Sequence, residues 1–141
     1  MNYGRLVLSA LAATLVYYAY GFLVNGMLIA KAYLPFTTVY RPQDAIMRYM
    51  PFGLAGTFIA ALVLAIMFAK GYEGGPVLAE GARFGVLVGV FVVCTHVVDN
   101  LVTLNIGRRL SLELAVASLV QWTLVCVTIG LVSKPTRAPT P

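Results

Sequence analysis

The sequence predicts an all-α integral membrane protein built as a four-transmembrane-helix bundle, and three observations support this fold class. Hydrophobic residues make up 60% of the chain and charged residues only 11%, whereas soluble domains have about 45–50% and about 25%. The apolar residues are concentrated in four blocks, each close to the roughly 17–25 residues that cross a bilayer as a helix. The blocks do not contain the short segments of alternating polar and apolar residues that are typical of the strands of membrane β-barrels. We therefore predict spanning helices at about 6–30, 51–69, 84–106 and 112–132.

The first block follows Arg5 and ends at Lys31. A cleaved signal peptide is the alternative to a spanning helix here, because a basic residue precedes an apolar segment in both. The apolar core of a signal peptide is typically about 7–15 residues long. This block is much longer and contains several tyrosines and Asn25. We therefore expect it to be retained as the first spanning helix.

The connections between the blocks predict how the helices are arranged. In the first connection, "RPQDAIMRYM" (41–50) resembles a helix start, with Pro42 at the first helical position and Asp44 in the first turn. It predicts a short interfacial helix on the bilayer surface, with an ordered loop as the alternative. The third connection is short, so helices three and four should form an antiparallel hairpin. We expect residues 1–132 to form one domain and the proline-rich residues 133–141 to form a flexible tail.

The net charge of +5 comes from ten basic and five acidic residues. The basic residues stand singly or in pairs between the apolar blocks, which is typical of contact with lipid headgroups and not of nucleic-acid binding. They divide five to five between the two membrane faces. Arg5, before the first helix, favours cytoplasmic termini. In overall look the chain is similar to small four-span bacterial membrane proteins, which implies the inner (cell) membrane.

The third block contains an unusual polar segment, "CTHVVDN" (94–100), which holds the only histidine of the chain. A spacing of three residues brings His96 and Asp99 to one face of a helix. Intramembrane acidic and basic residues are costly and are functional candidates by default. At 100° per residue, the block predicts one stripe that is hidden from lipid. Its members are Gly85, Gly89, His96, Asp99, Asn100, Thr103 and Gly107.

The same block begins with a doubled GxxxG pattern, Gly81, Gly85 and Gly89. Small residues at this spacing let another membrane helix approach closely. We predict that this glycine face packs against a helix, either within the chain or in another protein.

The other helices offer polar side chains that could meet the stripe. Tyr18 and Asn25 lie in the first block and Gln121 in the fourth. Interhelical polar contacts of this kind contribute about 0.6–2 kcal/mol. We therefore include all three in the candidate intramembrane polar cluster with His96, Asp99, Asn100 and Thr103.

The composition argues against catalysis, metals and cofactors. A zinc site needs three or four ligands, and His96 with Asp99 supplies two. The two cysteines, Cys94 and Cys126, have no CxxC spacing. No nucleophile elbow accompanies the histidine. We expect no metal, no cofactor and no enzymatic activity.

Two functions fit this pattern. The first is a non-catalytic membrane component that, through its glycine face, forms a homo-oligomer or joins a larger membrane complex as an accessory subunit. The alternative is a small proton- or cation-coupled transporter that uses Asp99 and His96, since histidine side chains exchange protons in the physiological pH range. Four helices are few for a complete pathway, so a transporter would also need to be oligomeric.

Overall fold

The computed structural model describes residues 2–134 and contains helices and no β-strand over that range. Helices are the expected structure for long apolar segments, because in lipid every backbone N–H and C=O must find a partner within the chain. Two of the spanning helices are interrupted by a π turn, in which backbone hydrogen bonds join residues i and i+5. The α-helices are α1 (Tyr3–Leu23), α2 (Ala30–Tyr33), α3 (Gln43–Gly71), α4 (Val77–Val92), α5 (Val98–Thr103) and α6 (Arg108–Ser133).

Four helical segments are long and apolar enough to cross a membrane, as the sequence predicts. They fit an integral membrane protein with the predicted all-α four-helix bundle. The first spanning helix joins α1 to the π turn Val24–Leu28, and the third joins α4, the π turn Val93–Val97 and α5. The second and fourth are α3 and α6. The apolar segments extend over Tyr3–Leu28, Asp44–Gly71, Val77–Thr103 and Arg108–Ser133.

The helices begin and end at different residues from those expected. The third begins at Val77, seven residues before Phe84, because Pro76 provides an extended cap and α4 then includes Glu80 and Arg83. The fourth begins at Arg108, directly after Gly107, whose positive φ of 72° ends the preceding turn. The predicted tail lies outside the described residues apart from its first two positions.

The first connection contains a short helix, but not in the predicted segment. The turn is made by α2 and a following 3-10 segment, Leu34–Phe36. Residues 41–50 are not a separate interfacial helix: from Gln43 onward they are the first turns of the second spanning helix, which continues through Pro51 to Gly71. Proline lacks a backbone N–H, yet spanning helices tolerate it. Pro51 therefore lies within one continuous helix and does not separate an interfacial helix from the spanning helix.

The fourth spanning helix is the centre of the bundle. α6 packs against α4 on one side and against α1 and α3 on the other. The larger core joins these elements through residues such as Ala13, Ala65 and Ile129, all buried. A second, smaller core lies where the first and third connections meet α6, and it includes Ile106 and Leu110. The third spanning helix is held mainly through α6, so most of its surface faces outward.

The first part of α3 is mostly exposed but still contacts the bundle. Residues 51–56 are all exposed, yet a Cβ atom on Gly53 would lie 3.0 Å from the Tyr18 hydroxyl oxygen. Thr57 is half-buried, and its hydroxyl lies 3.4 Å from the same oxygen. Before these contacts, a cleft separates the start of α3 from the first connection.

Candidate functional site

The glycine face of α4 lies against α6 of the same chain. Gly81, Gly85 and Gly89 are buried, and a Cβ atom built on Gly85 would lie 2.6 Å from Thr123 Cα. At Gly81 the nearest atom would be Val127 Cα, at 3.1 Å. Because these neighbours are backbone atoms, only glycine permits the observed separation of α4 and α6. The glycine face is thus occupied by α6 of the same protomer and is not available as the interface with another protein that the sequence led us to expect.

A π turn separates the glycine face from the polar residues that follow it. The backbone N–H of Val98 donates to Val93 O, five residues earlier. One extra residue in a turn rotates the downstream helix by about 100° relative to a regular α-helix. Val97 consequently takes the buried position, at 5% exposure, which a regular helix would give to His96.

His96, Asp99, Asn100 and Thr103 form what we call the outer polar face. His96, Asp99 and Thr103 are exposed and Asn100 is half-buried. The predicted stripe is therefore divided into a buried glycine part and an outward-facing polar part. Asp99 lies four residues before the end of α5, which places it about 6 Å along the axis from that end.

The hydrogen bonds of the outer polar face leave the carboxylate unused. Asn100 Nδ2 lies 3.4 Å from His96 Nε2, and the Thr103 hydroxyl donates to the backbone oxygen of Asp99 at 2.8 Å. The Thr95 hydroxyl donates to Phe91 O at 2.7 Å, beside the π turn. Over residues 2–134, no hydrogen bond or ion pair engages the Asp99 carboxylate. Its oxygens are free to accept from a group outside the chain.

The chemistry available at the outer polar face is that of an acid beside a base. An imidazole and a carboxylate on one face can exchange a proton or pair with complementary groups on another surface. Among the described residues, no group of three or more histidine, cysteine, aspartate or glutamate side chains could hold a metal ion. The arrangement favours recognition or proton handling.

Tyr18, Asn25 and Gln121 belong to a second group, which we call the inner polar layer. Gln121 is 8% exposed, and its Nε2 donates to Tyr17 O at 2.9 Å, linking α6 to α1. Tyr18 meets Thr57 of α3, as described above. Tyr18 and Gln121 join three spanning helices, whereas Asn25 bonds the first connection. None of the three makes a hydrogen bond to the outer polar face within the described part of the chain.

Asn25 lies in the other π turn, Val24–Leu28, and accepts a hydrogen bond from the Tyr33 hydroxyl at 3.4 Å. Burial and the neighbouring Tyr40 phenol raise the pKa of Tyr33 to about 12, so the phenol stays protonated and able to donate. A cleft of about 680 Å³ opens beside these residues. It extends toward Arg41, before α3, and toward Ile46, in the first turns of α3.

The sequence thus identified seven polar candidates that the structure divides into two groups. It missed Thr57 and Tyr33 as partners, because their pairing with Tyr18 and Asn25 depends on helix packing and on the fold of the first connection. It also missed Tyr17, which contributes a backbone oxygen that no side-chain pattern reveals.

Comparisons with family models, curated proteins and solved structures found no match.

Proposed function

We propose that this protein is a non-catalytic membrane component that assembles with a second copy of itself through the outer polar face. The observation that carries the proposal is an exposed carboxylate with no partner among residues 2–134, three residues from an exposed imidazole on the same spanning helix. An acidic side chain at the centre of a membrane helix costs about 2.5–3.5 kcal/mol on insertion scales, and Asp99, which lies about 6 Å from the end of α5, bears a smaller part of that cost. Covering Asp99 with a hydrogen-bonding partner offsets that cost, which gives the outer polar face a reason to be an interface.

The composition of the face favours a second copy as the partner. In a two-fold dimer the same patch meets itself, so residue i contacts j and j contacts i. A patch that holds both an acid and a base is complementary to itself: each Asp99 can accept from the other copy's imidazole. An accessory role in a larger membrane complex would use the same face against a different protein.

The test is the association of the purified protein. At about 0.6–2 kcal/mol for each polar contact, loss of two reciprocal contacts weakens the dimer by about 1–4 kcal/mol, or about tenfold to a thousandfold. Asp99→Leu should therefore shift the protein to monomers, measured by single-molecule photobleaching in vesicles over a range of dilution. Glu73→Leu removes a carboxylate from an exposed loop position and should leave association unchanged.

A double exchange gives the sharper test. In His96→Asp with Asp99→His, each residue type takes the other's place, so the patch remains self-complementary. This variant should recover most of the association that Asp99→Leu loses. Equal association of all three variants with the wild-type protein would refute a dimer built on this face. If Asp99→Leu and the double exchange both lose self-association but still bind another membrane protein, the accessory role is favoured.

The alternative, a proton- or cation-coupled transporter, is favoured by one observation: the π turn at Val93–Val97 adjoins the acid and the base, and π turns are frequent at functional sites. Because the pair faces outward, the pathway would have to lie between protomers. Asp99→Asn should then abolish proton uptake into vesicles, followed with an enclosed pH-sensitive dye, while the oligomeric state is retained. Unchanged uptake in that variant would exclude this function.

We also propose that the protein resides in a bacterial inner membrane with both termini in the cytoplasm. Arg5, before the first spanning helix, supports this orientation, since flanking basic residues tend to stay cytoplasmic. A C-terminal green fluorescent protein fusion should fluoresce, and a C-terminal alkaline phosphatase fusion should be inactive. The opposite pair of results would reverse the orientation.

A further inference from the structure

A groove lies where the first and third connections meet at one end of the bundle. It has a volume of about 630 Å³, within the usual range of ligand sites. Its basic residues are Lys31, from α2, and Arg108 and Arg109, from the first turn of α6. We call this the basic groove. The residues are far apart in the sequence and are brought together because antiparallel helices place both connections at the same end.

The charges of the basic groove are mostly unneutralised. Glu113 also lines it, but its carboxylate accepts from Arg109 Nε at 3.0 Å in an ion pair within α6. Lys31 and Arg108 have no ion pair among residues 2–134. The 26-residue helix α6 also begins here, with Gly107 as its cap and no side-chain capping bond. Its first N–H groups add to the positive potential of the groove.

The wall and floor of the groove are apolar and ordered. Ile106 and Leu110 are 0% and 2% exposed and belong to the smaller core. Phe36 and Leu28 complete the lining, and Leu28 ends the first spanning segment. A ligand in this groove meets cations on one side and a spanning helix on the other. An anionic head joined to a hydrocarbon chain matches this combination.

We propose that the basic groove binds an anionic phospholipid, with its phosphate against Lys31 and Arg108 and an acyl chain along Leu28. Clustered cations attract anionic headgroups by charge, and basic pockets between spanning helices select such headgroups on the cytoplasmic side of membranes. The orientation proposed above places the basic groove on the opposite side, so its lipid comes from the outer leaflet. The apolar lining distinguishes a lipid from a free phosphate ion, which would gain nothing from it. This inference does not depend on the outer polar face.

The test is lipid binding to the full-length protein in a neutral detergent, measured by native mass spectrometry. The probes are phosphatidylglycerol and phosphatidylcholine with the same acyl chains. The test variant is Lys31→Gln with Arg108→Gln, and the matched control is Arg41→Gln with Arg48→Gln. The control removes two cations from the same end of the bundle, outside the basic groove.

We expect the wild-type protein to bind phosphatidylglycerol more tightly than phosphatidylcholine. The groove variant should lose about fivefold for each cation removed, or about 30-fold in total, while the control loses less than about threefold. Unchanged helicity by circular dichroism establishes that the variants fold. Equal losses in the two variants, or no loss in the groove variant, would overturn the proposal.

Soluble competitors separate a lipid from a phosphate ion. Dihexanoyl phosphatidylglycerol should displace the long-chain lipid, and glycerophosphoglycerol and inorganic phosphate should be at least about tenfold weaker competitors, since they make no apolar contacts. Equal competition by inorganic phosphate would show that the groove is an anion site and would overturn the assignment of a lipid.

Discussion

Replacing Gly85 with alanine should destabilise the pairing of α4 with α6. A Cβ atom at this position would lie 2.6 Å from Thr123 Cα, 3.0 Å from Thr123 O and 3.1 Å from Cys126 Cβ. Ordinary contacts between carbon atoms are about 3.5–4.0 Å, so the helices must separate by about 1 Å. The nearest atoms are backbone, and no side-chain rotation relieves the clash. Gly89 is less restricted than Gly85: its nearest contact, Leu119 Cδ1 at 2.8 Å, can rotate away, but Leu119 Cα and O, both at 3.1 Å, are backbone atoms that cannot.

The expected magnitude follows from two opposing terms. Overpacking a core by a methyl group costs about 1–3 kcal/mol, and replacing a helical glycine by alanine returns about 0.5–1 kcal/mol. The net free energy of unfolding should fall by about 0–2.5 kcal/mol in Gly85→Ala, with a central value of about 1 kcal/mol. At Gly56 a Cβ atom would meet nothing within 4 Å. Gly56→Ala should therefore be neutral or stabilising.

The assay is unfolding by sodium dodecyl sulfate in mixed micelles, followed by the fluorescence of Trp122. This residue is the only tryptophan of the chain. Its ring centroid is 5.4 Å from that of Tyr17, so its fluorescence reports on the packing of α6 against α1, which is lost when the bundle unfolds. If Gly85→Ala unfolds at the same detergent fraction as Gly56→Ala, the close approach of α4 and α6 does not depend on this glycine and the reasoning fails.

Three further substitutions test other parts of the bundle. Gln121→Leu should lower the free energy of unfolding by about 0.6–1.7 kcal/mol, the range for interhelical hydrogen bonds, in the same detergent titration; a larger loss would mean that the side chain does more than join α6 to α1. Glu80→Gln weakens the charge-assisted acceptors of the second connection, so the Gly75 amide should exchange hydrogen faster, and unchanged exchange would contradict this role. Arg109→Ala breaks the exposed ion pair with Glu113 and should change the free energy of unfolding by less than about 1 kcal/mol. A larger loss in the same detergent titration would contradict the view that this ion pair contributes little to stability.

The number and type of the spanning helices could be predicted from the sequence, because apolar length is dictated by bilayer thickness. The ends of these helices could not. The second spanning helix begins at Gln43 rather than near Pro51. A proline removes one backbone N–H donor, and a membrane helix can continue through it. Composition marks the part of a helix that lies in hydrocarbon, whereas the helix itself extends into the polar region beyond.

The candidate residues could be chosen from the sequence, but their spatial arrangement could not be predicted from it. The first and fourth spanning helices carry polar side chains whose partners come from other elements, as Tyr33 does for Asn25. Such pairs depend on how the first connection folds back, and no periodicity within one helix contains that information. The groove formed by Lys31 and Arg108 is another product of topology.

The division of the predicted stripe has a single local cause. In a regular α-helix, His96 would lie on the same face as Gly89, which packs against α6. The π turn at Val93–Val97 puts Val97 on that face instead. The Thr95 hydroxyl donates to Phe91 O beside this turn, but Thr123 and Thr128 make the same bond in the regular helix α6, so this bond does not by itself predict the turn. The rotation has a consequence for function: it exposes an acid and a base that a regular helix would direct toward α6. A protein that needed these groups only to join its own helices would gain nothing from the turn, and this favours a role for Asp99 outside the protomer.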